Sequence, residues 1–301
     1  MKRHGYSGIL LQSRIAQAFV IAGPYPRVLS FSTARCPSPF YIAPMEYLAL
    51  RAWFMEPVQT ADAGRPAALP GRVVIHEPRR VRIEGPPEPH TQLQLVLDVS
   101  LDATAPIMRV THGFKNLAAT PRTLAAWAIA CVPLNGRFVV PWGPKKNPFR
   151  SITYWNTTNP AEPCLQLGQR AFGLDLDPAP LSTGALKVGI RTTCGWGAYV
   201  YDKTACIMAA PFIPGGDYPE GGGTITMYKT TPRDKAGWAE LERVGPLTVV
   251  PPHATVMLDE QYQLLTLAKR PPEEPDALCA RLALAADRLA SAGPACPARS
   301  S

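Results

Sequence analysis

No run of about twenty consecutive apolar residues, the length a helix needs to cross a bilayer, occurs in this sequence. A membrane-spanning helix is not expected, and neither is a membrane partner. No two cysteines are spaced as CxxC. The seven cysteines, Cys36, Cys131, Cys164, Cys194, Cys206, Cys279 and Cys296, are scattered and odd in number. That spacing argues against a clustered zinc site. It fits free thiols in a reducing, cytoplasmic compartment better than a disulfide scaffold. No metal and no cofactor are expected.

Charge is scarce, at 18% of residues against 46% hydrophobic. That is too little for a disordered chain, and the apolar material suffices for a large core. The net charge of +8 is dispersed. Arg79, Arg80 and Arg82 share one strand candidate, and Lys145, Lys146 and Arg150 share one loop candidate. Neither a long basic tract nor a nucleic-acid motif accompanies them. The expectation is a solvated basic surface with no nucleic-acid partner, an anion-binding preference being the alternative. Lys2, Arg3 and His4 precede a mildly apolar stretch, and no acidic residue appears before Glu46, as in transit peptides. Gln12, Arg14 and Gln17 interrupt that stretch, so it reads as structural strand.

Helical periodicity is nearly absent before residue 270. Instead, 34 prolines and 23 glycines punctuate short strand-like runs. Strands are expected at 8–11, 15–21, 28–32, 48–54, 72–76, 79–84, 93–99, 107–111 and 125–132. The series continues at 138–141, 151–154, 186–190, 197–201, 205–210, 224–228, 238–243, 247–250 and 255–267. Pro78 marks a hairpin, residues 56–70 a loop, and Pro219 to Gly223 a tight turn. The Gly221-Gly222-Gly223 run lacks the Lys-Ser/Thr ending of a phosphate loop. After residue 270, Leu278, Leu282, Leu284, Ala285 and Leu289 form an apolar stripe, with acidic residues before it and Arg288 near its end. One amphipathic helix ended by Gly293 and Pro294 is expected. A 301-residue chain of this kind predicts paired antiparallel sheets in one β-sandwich domain over 1–270, followed by a helix and tail over 271–301.

Several segments, in order along the chain, resemble the DUF4380 family of the galactose-mutarotase-like superfamily. Val110-Thr111-His112-Gly113-Phe114-Lys115-Asn116-Leu117 is similar to the His-x-aromatic-x-Asn-Leu segment of aldose 1-epimerases. Pro26-Arg27-Val28-Leu29 resembles the family's N-terminal Arg-Ile/Val-Leu strand. Ala49-Leu50-Arg51-Ala52-Trp53, with Pro57, resembles its Gly-His-Arg-Leu-Trp element, with Leu50 where the family often has His. Asn116, Pro121, Ala126 and Trp127 follow a further pattern. Tyr218-Pro219-Glu220-Gly221-Gly222 resembles its Tyr-Pro-Asp-Gly-Gly turn. Glu240-Leu241-Glu242-Arg243-Val244-Gly245-Pro246-Leu247 resembles its Glu-Leu-Glu-x-x-Gly-Pro-Leu segment, and Glu260-Gln261-Tyr262 its terminal Glu-x-Trp. The resemblance implies an all-β supersandwich and a carbohydrate ligand. A fold hosts unrelated functions, so activity does not follow from it.

Mutarotation needs an acid and a base on opposite sides of a sugar ring, and His and Glu suit those roles. His112 is the acid candidate, expected just past a strand; the alternative is a packed core or turn histidine. Glu242 and Glu260 are the base candidates, the alternative being ion pairs with Arg27 or Arg51 or a solvated face shared with Glu240. Arg27, Arg51 and Asn116 are substrate-binding candidates. Among aromatics, Trp142, Trp155 and Tyr218 are expected at a cleft rim, while Trp127 reads as core. His112, Glu242 and Arg51 are expected to line one cleft, with Arg27 and Glu260 nearby. Three readings follow: an epimerase or mutarotase, a non-catalytic carbohydrate-binding or sensing module, and a structural scaffold. A monomer or homodimer is expected.

Overall fold

The computed structural model describes residues 1–42, 49–57, 69–143, 151–177, 179–231, 237–269, 271 and 274–291. Two antiparallel ten-stranded sheets pack face to face. The first runs, edge to edge, through Leu165–Leu167, Ala171–Asp175, Arg137–Pro141, Trp196–Tyr201, Thr204–Ala209, Thr255–Thr266, Ile107–Asn116, Leu93–Leu101, Arg80–Glu84 and Arg72–Glu77. The second runs through Ile152–Tyr154, Ala185–Ile190, Ile225–Thr230, Trp238–Val244, Arg122–Pro133, Leu50–Met55, Arg27–Thr33, Ala16–Ile21 and Ile9–Gln12, with Thr248–Val250 beside Arg122–Pro133. The N-terminal stretch thus supplies edge strands of the second sheet. Among the described residues, no helix is long and apolar enough to cross a membrane.

Alternation sends every second side chain into the space between the sheets. Met108, Val110, Leu97 and Val99 enter from the first sheet, and Leu50, Ala130, Val132 and Leu241 from the second. A second apolar group, with Phe54, Phe114, Ala126, Ala128 and Leu258, fills the other end. The helix Pro275–Ser291 covers the outer face of the first sheet. Leu278, Leu282, Ala286 and Leu289, spaced three or four apart, pack on Val139, Ala198, Val200, Ala205 and Ile207. Its first-turn acid does more than complement the helix dipole. The Asp276 carboxylate accepts hydrogen bonds from the Gln169, Arg170 and Ala171 N–H groups at 2.8, 2.8 and 3.0 Å.

Several expectations change. The strand expected at 107–111 runs on to Asn116, so His112 lies within it, not past its end. Leu165–Leu167 and Ala171–Asp175 were not legible: the first is three residues long, and Gly173 breaks the second. Pro219–Gly222 forms one helical turn with proline at its start. The helix end expected at Gly293 and Pro294, Lys145, Lys146 and Arg150 of the basic loop, Cys296, and most of the 56–70 loop lie outside the described residues. The six described cysteines are free thiols. Some surface arginines are locally paired: Arg80 grips Asp98 at 3.1 and 2.7 Å, and Arg109 meets Asp102 at 3.3 Å.

Candidate functional site

The register of the second sheet builds a polar row on the face away from the core. Ile129 lies opposite Arg51 on one side and Glu242 on the other, and Glu242 lies opposite Thr226. Directly paired residues share a face. Leu50, Ala130 and Leu241, one position along each strand, are in the core, so Arg51, Ile129 and Glu242 point outward. A neighbouring row carries Trp53, Trp127 and Val244, and another carries Cys131, Glu240, Tyr228 and Lys187. The segments that resemble the family's Arg-x-Trp, Ala-Trp and Glu-Leu-Glu elements therefore meet on one surface.

The contacts here are charged and aromatic. Arg51 Nη2 donates to Glu240 Oε1 at 2.7 Å, and both side chains are buried. Burial opposes the charge on Arg51, but Glu240 and the Tyr25 hydroxyl outweigh it and hold the guanidinium charged. Trp127 Nε1 donates to Glu242 Oε2 at 3.0 Å, and the Lys187 ammonium lies 3.8 Å from the same oxygen. That ammonium also sits 4.8 Å from the Trp127 ring centre and 4.9 Å from that of Trp155. Trp53 meets Trp127 edge to face at 5.2 Å. Trp53, Trp155, Tyr228 and Lys187 are half-buried and form the outer edge of the cluster. Two buried polar atoms on this face, Trp53 Nε1 and Thr226 Oγ1, have no hydrogen-bond partner.

The face continues into a cavity of about 510 Å³. Arg191 follows the Ala185–Ile190 strand and Thr224, whose N–H bonds Ile190 O at 3.0 Å, precedes the Ile225–Thr230 strand; both line it, with Trp142, Phe212, Asp217 and Tyr218. Phe212 and Tyr218 stack at 5.7 Å with an 8° interplanar angle. The Tyr218 hydroxyl accepts from Ile213 N–H at 2.9 Å. Gly221 and Gly222 hold left-handed φ values of 78° and 84°, and a Cβ on Gly222 would lie 2.5 Å from Arg191. That turn and the arginine thus fit closely.

The expectation that His112, Glu242 and Arg51 share one cleft is corrected. His112 lies opposite Leu97 and Leu258, and Glu260 opposite Val110, all facing the core. His112 and Glu260 therefore sit between the sheets, while Glu242 and Arg51 lie on the far side of the second sheet. His112 Nε2 is 3.3 Å from Glu260 Oε2 without hydrogen-bond alignment. Tyr262 donates to the same oxygen at 2.8 Å.

The remaining candidates divide. Arg27 is buried beside Arg51's strand, its guanidinium 3.5 Å over the Tyr25 ring. Asn116 is a structural tie: its amide donates to Thr120 O and Val250 O at 2.9 Å each, and its oxygen accepts from Ala118 N–H at 3.0 Å. Trp142 is only 3% exposed, with Nε1 bonded to Gly168 O at 2.9 Å, so it is wall and not rim. Trp127 is buried, as expected, but in a separate apolar cluster with Met55, Ala125, Ile129 and Val244 on the outer face of the second sheet. Lys187 and Thr226 were not singled out in the sequence, and Trp53 entered only as part of the Arg-x-Trp element. Trp53 follows Arg51 by two and so shares its face, a signal that was available; Lys187 and Thr226 reach the site only through register.

The fold is similar to that of several solved structures. A galactose mutarotase-like protein from Lactobacillus casei matches with a TM-score of 0.61 and 11% identity, over 86% of this chain and 100% of the other. A putative aldose 1-epimerase from Escherichia coli K12 matches at 0.56 and 13%, over 87% and 99%. A putative aldose 1-epimerase from Klebsiella pneumoniae matches at 0.55 and 11%, over 91% and 81%. No family model and no curated protein matches the sequence.

Proposed function

We propose that this protein binds a carbohydrate on the outer face of the second sheet and in the adjoining cavity. The carrying observation is the half-buried edge of Trp53, Trp155 and Lys187, where the ammonium lies over two indole rings beside Glu242. A sugar offers both complements: hydroxyls for the polar atoms and C–H faces for the rings. The ordered motifs favour a place near the DUF4380 family, and the names of the similar structures agree with a sugar ligand. The free thiols support a reducing compartment.

A binding or sensing module is favoured over an epimerase. Acid and base groups that flank a sugar ring stand about 5–9.5 Å apart. His112 and Glu260 are 3.3 Å apart in the core, and neither reaches Glu242's face. Saturation-transfer NMR with a panel of monosaccharides tests the proposal. Contacts are expected in the wild type and strong weakening, tenfold or more, in Trp53→Ala and Trp155→Ala. No sugar contact, or contacts indifferent to both substitutions, would refute the site. Polarimetry on the same samples is expected to show unchanged anomer exchange; acceleration would favour a mutarotase instead.

A further inference from the structure

We propose that the ligand of this face is an acidic sugar, one bearing a carboxylate or a phosphate, and that Arg191 selects it by its charge. The inference deepens the carbohydrate reading and rests on it. Two cations of the face carry their own acids: Arg51 has Glu240 at 2.7 Å, and Lys187 has Glu242 at 3.8 Å. Arg191 differs. Its Nη2 donates to Gly221 O, a neutral carbonyl, and among the described residues no carboxylate pairs with it. The side chain is exposed and lines the 510 Å³ cavity. A Cβ on Gly222 would lie 2.5 Å from Arg191 Nη2 and 2.6 Å from its Nε, so the glycine turn seats the guanidinium closely. One of its five N–H groups is spent on the turn, and the rest of the fork is left for a ligand.

Strand alternation sets the arginine beside the indole edge. Leu186, Val188 and Ile190 enter the core, so Lys187, Gly189 and Arg191 follow one another on the outer face. The Trp155 ring lies against Gly189, where a Cβ would come 2.9 Å from it. Arg191 is the next outward position, roughly 7 Å further along the backbone. A sugar ring held at the Trp155 edge therefore directs an exocyclic group toward the guanidinium, with the stacked Phe212 and Tyr218 rings as a second wall. A planar fork of donors matches the two oxygens of a carboxylate or phosphate better than a single hydroxyl. Asp217 lines the same cavity without pairing with Arg191. Its charge opposes an anion there, which gives the test a second variant of opposite sign.

Titration calorimetry on the full chain tests this with glucose, glucuronate and glucose 6-phosphate, and with acetate and inorganic phosphate alone. At least one acidic sugar is expected to bind about tenfold or more tighter than glucose, and which one does tells carboxylate from phosphate. Arg191→Gln is expected to bring that ratio to about one. Arg191→Lys, which keeps the charge and loses the fork, is expected to fall between, and Asp217→Asn to raise the ratio. If Arg191→Gln does not fold, the other two variants decide. A ratio near one in the wild type, or one retained in Arg191→Gln, would overturn the inference, leaving Arg191 as a tie for the glycine turn and the sugar site in place. Acetate or inorganic phosphate binding as tightly as the acidic sugars would also overturn it, in favour of a plain anion site. Failure of all three sugars to bind would instead remove the carbohydrate reading itself, and this inference with it.

Discussion

Arg51 and Glu240 form a buried, charge-assisted hydrogen bond, where loss of one partner matters more than the net value of the pair. Arg51→Met leaves Glu240 buried without its cation and is expected to destabilise the fold by about 3–5 kcal/mol. The double variant Arg51→Met with Glu240→Leu is expected to recover most of that loss, since apolar replacement of a whole buried pair is often neutral. Urea unfolding of the two variants checks both claims. Equal stability of the single and double variants would mean that Glu240 finds water once Arg51 is gone. Trp127 illustrates the same point for a neutral donor. Its indole N–H serves the Glu242 carboxylate at 3.0 Å, so Trp127→Phe keeps an aromatic ring but removes one bond to a charged group and part of the buried indole volume. A loss of about 1.5–3 kcal/mol is expected.

Among the elements, the terminal helix has the clearest ledger of contacts. Leu278, Leu282, Ala286 and Leu289 close over small residues of the first sheet, and Trp196 bonds Asp287 at 3.2 Å beneath the same helix. Leu282→Ala is expected to cost about 2–5 kcal/mol, as for other fully buried leucines. Deleting residues 271–301 is expected to leave the sandwich folded but to uncover Val139, Ala198, Val200 and Ile207, lowering solubility. Asp276→Ala, which removes no apolar area, is expected to speed amide exchange at residues 169–171 alone. Circular dichroism, light scattering and exchange distinguish these effects. A deletion with unchanged melting and solubility would show that the helix is dispensable. The acidic start and apolar stripe of this helix were readable from spacing, whereas the three amides that Asp276 caps come from a hairpin over a hundred residues earlier.

The whole molecule is expected to be alkali-labile. Burial holds the Cys131, Cys206, Tyr199, Tyr201 and Tyr262 groups well above their ordinary pKa values, and pushes Cys279 up to about 11. An unfolded chain ionises thiols near ~8.5 and phenols near ~10. Raised folded values mean that the stabilising contribution is complete below those unfolded values and is lost as pH climbs toward the folded ones. Melting temperature is therefore expected to hold between pH 7 and 8 and to fall progressively above pH ~8.5. A flat profile to pH 10.5 would contradict the burial of these groups. At the acid end, Asp102 and Glu88 have lowered pKa values, from backbone and side-chain hydrogen bonds at Thr104 and Thr91 respectively. Their contribution is present above about pH 4 and disappears as pH falls further, but both are only half-buried, so solvent screening keeps the effect small.

Period-two alternation, the glycine and proline punctuation and the late helical stripe determined the all-β class, most strands and the terminal helix, because these are local properties of the chain. Alternation also placed Glu240 with Glu242, Arg51 with Trp53, and His112 with Val110 and Phe114 on common faces. It left open which of those faces looked into the core. That choice depends on how strands distant in sequence pair: Ile129 brings Arg51 and Glu242 to one outer row, across 191 residues of chain, only through the register of three strands. Tertiary structure therefore decided that His112 and Glu260 lie between the sheets and that Trp127 and Lys187 lie on the outer face of the second sheet. A strand's sequence states which side chains point together, and only the sheet it joins, with the sheet packed against it, states toward what.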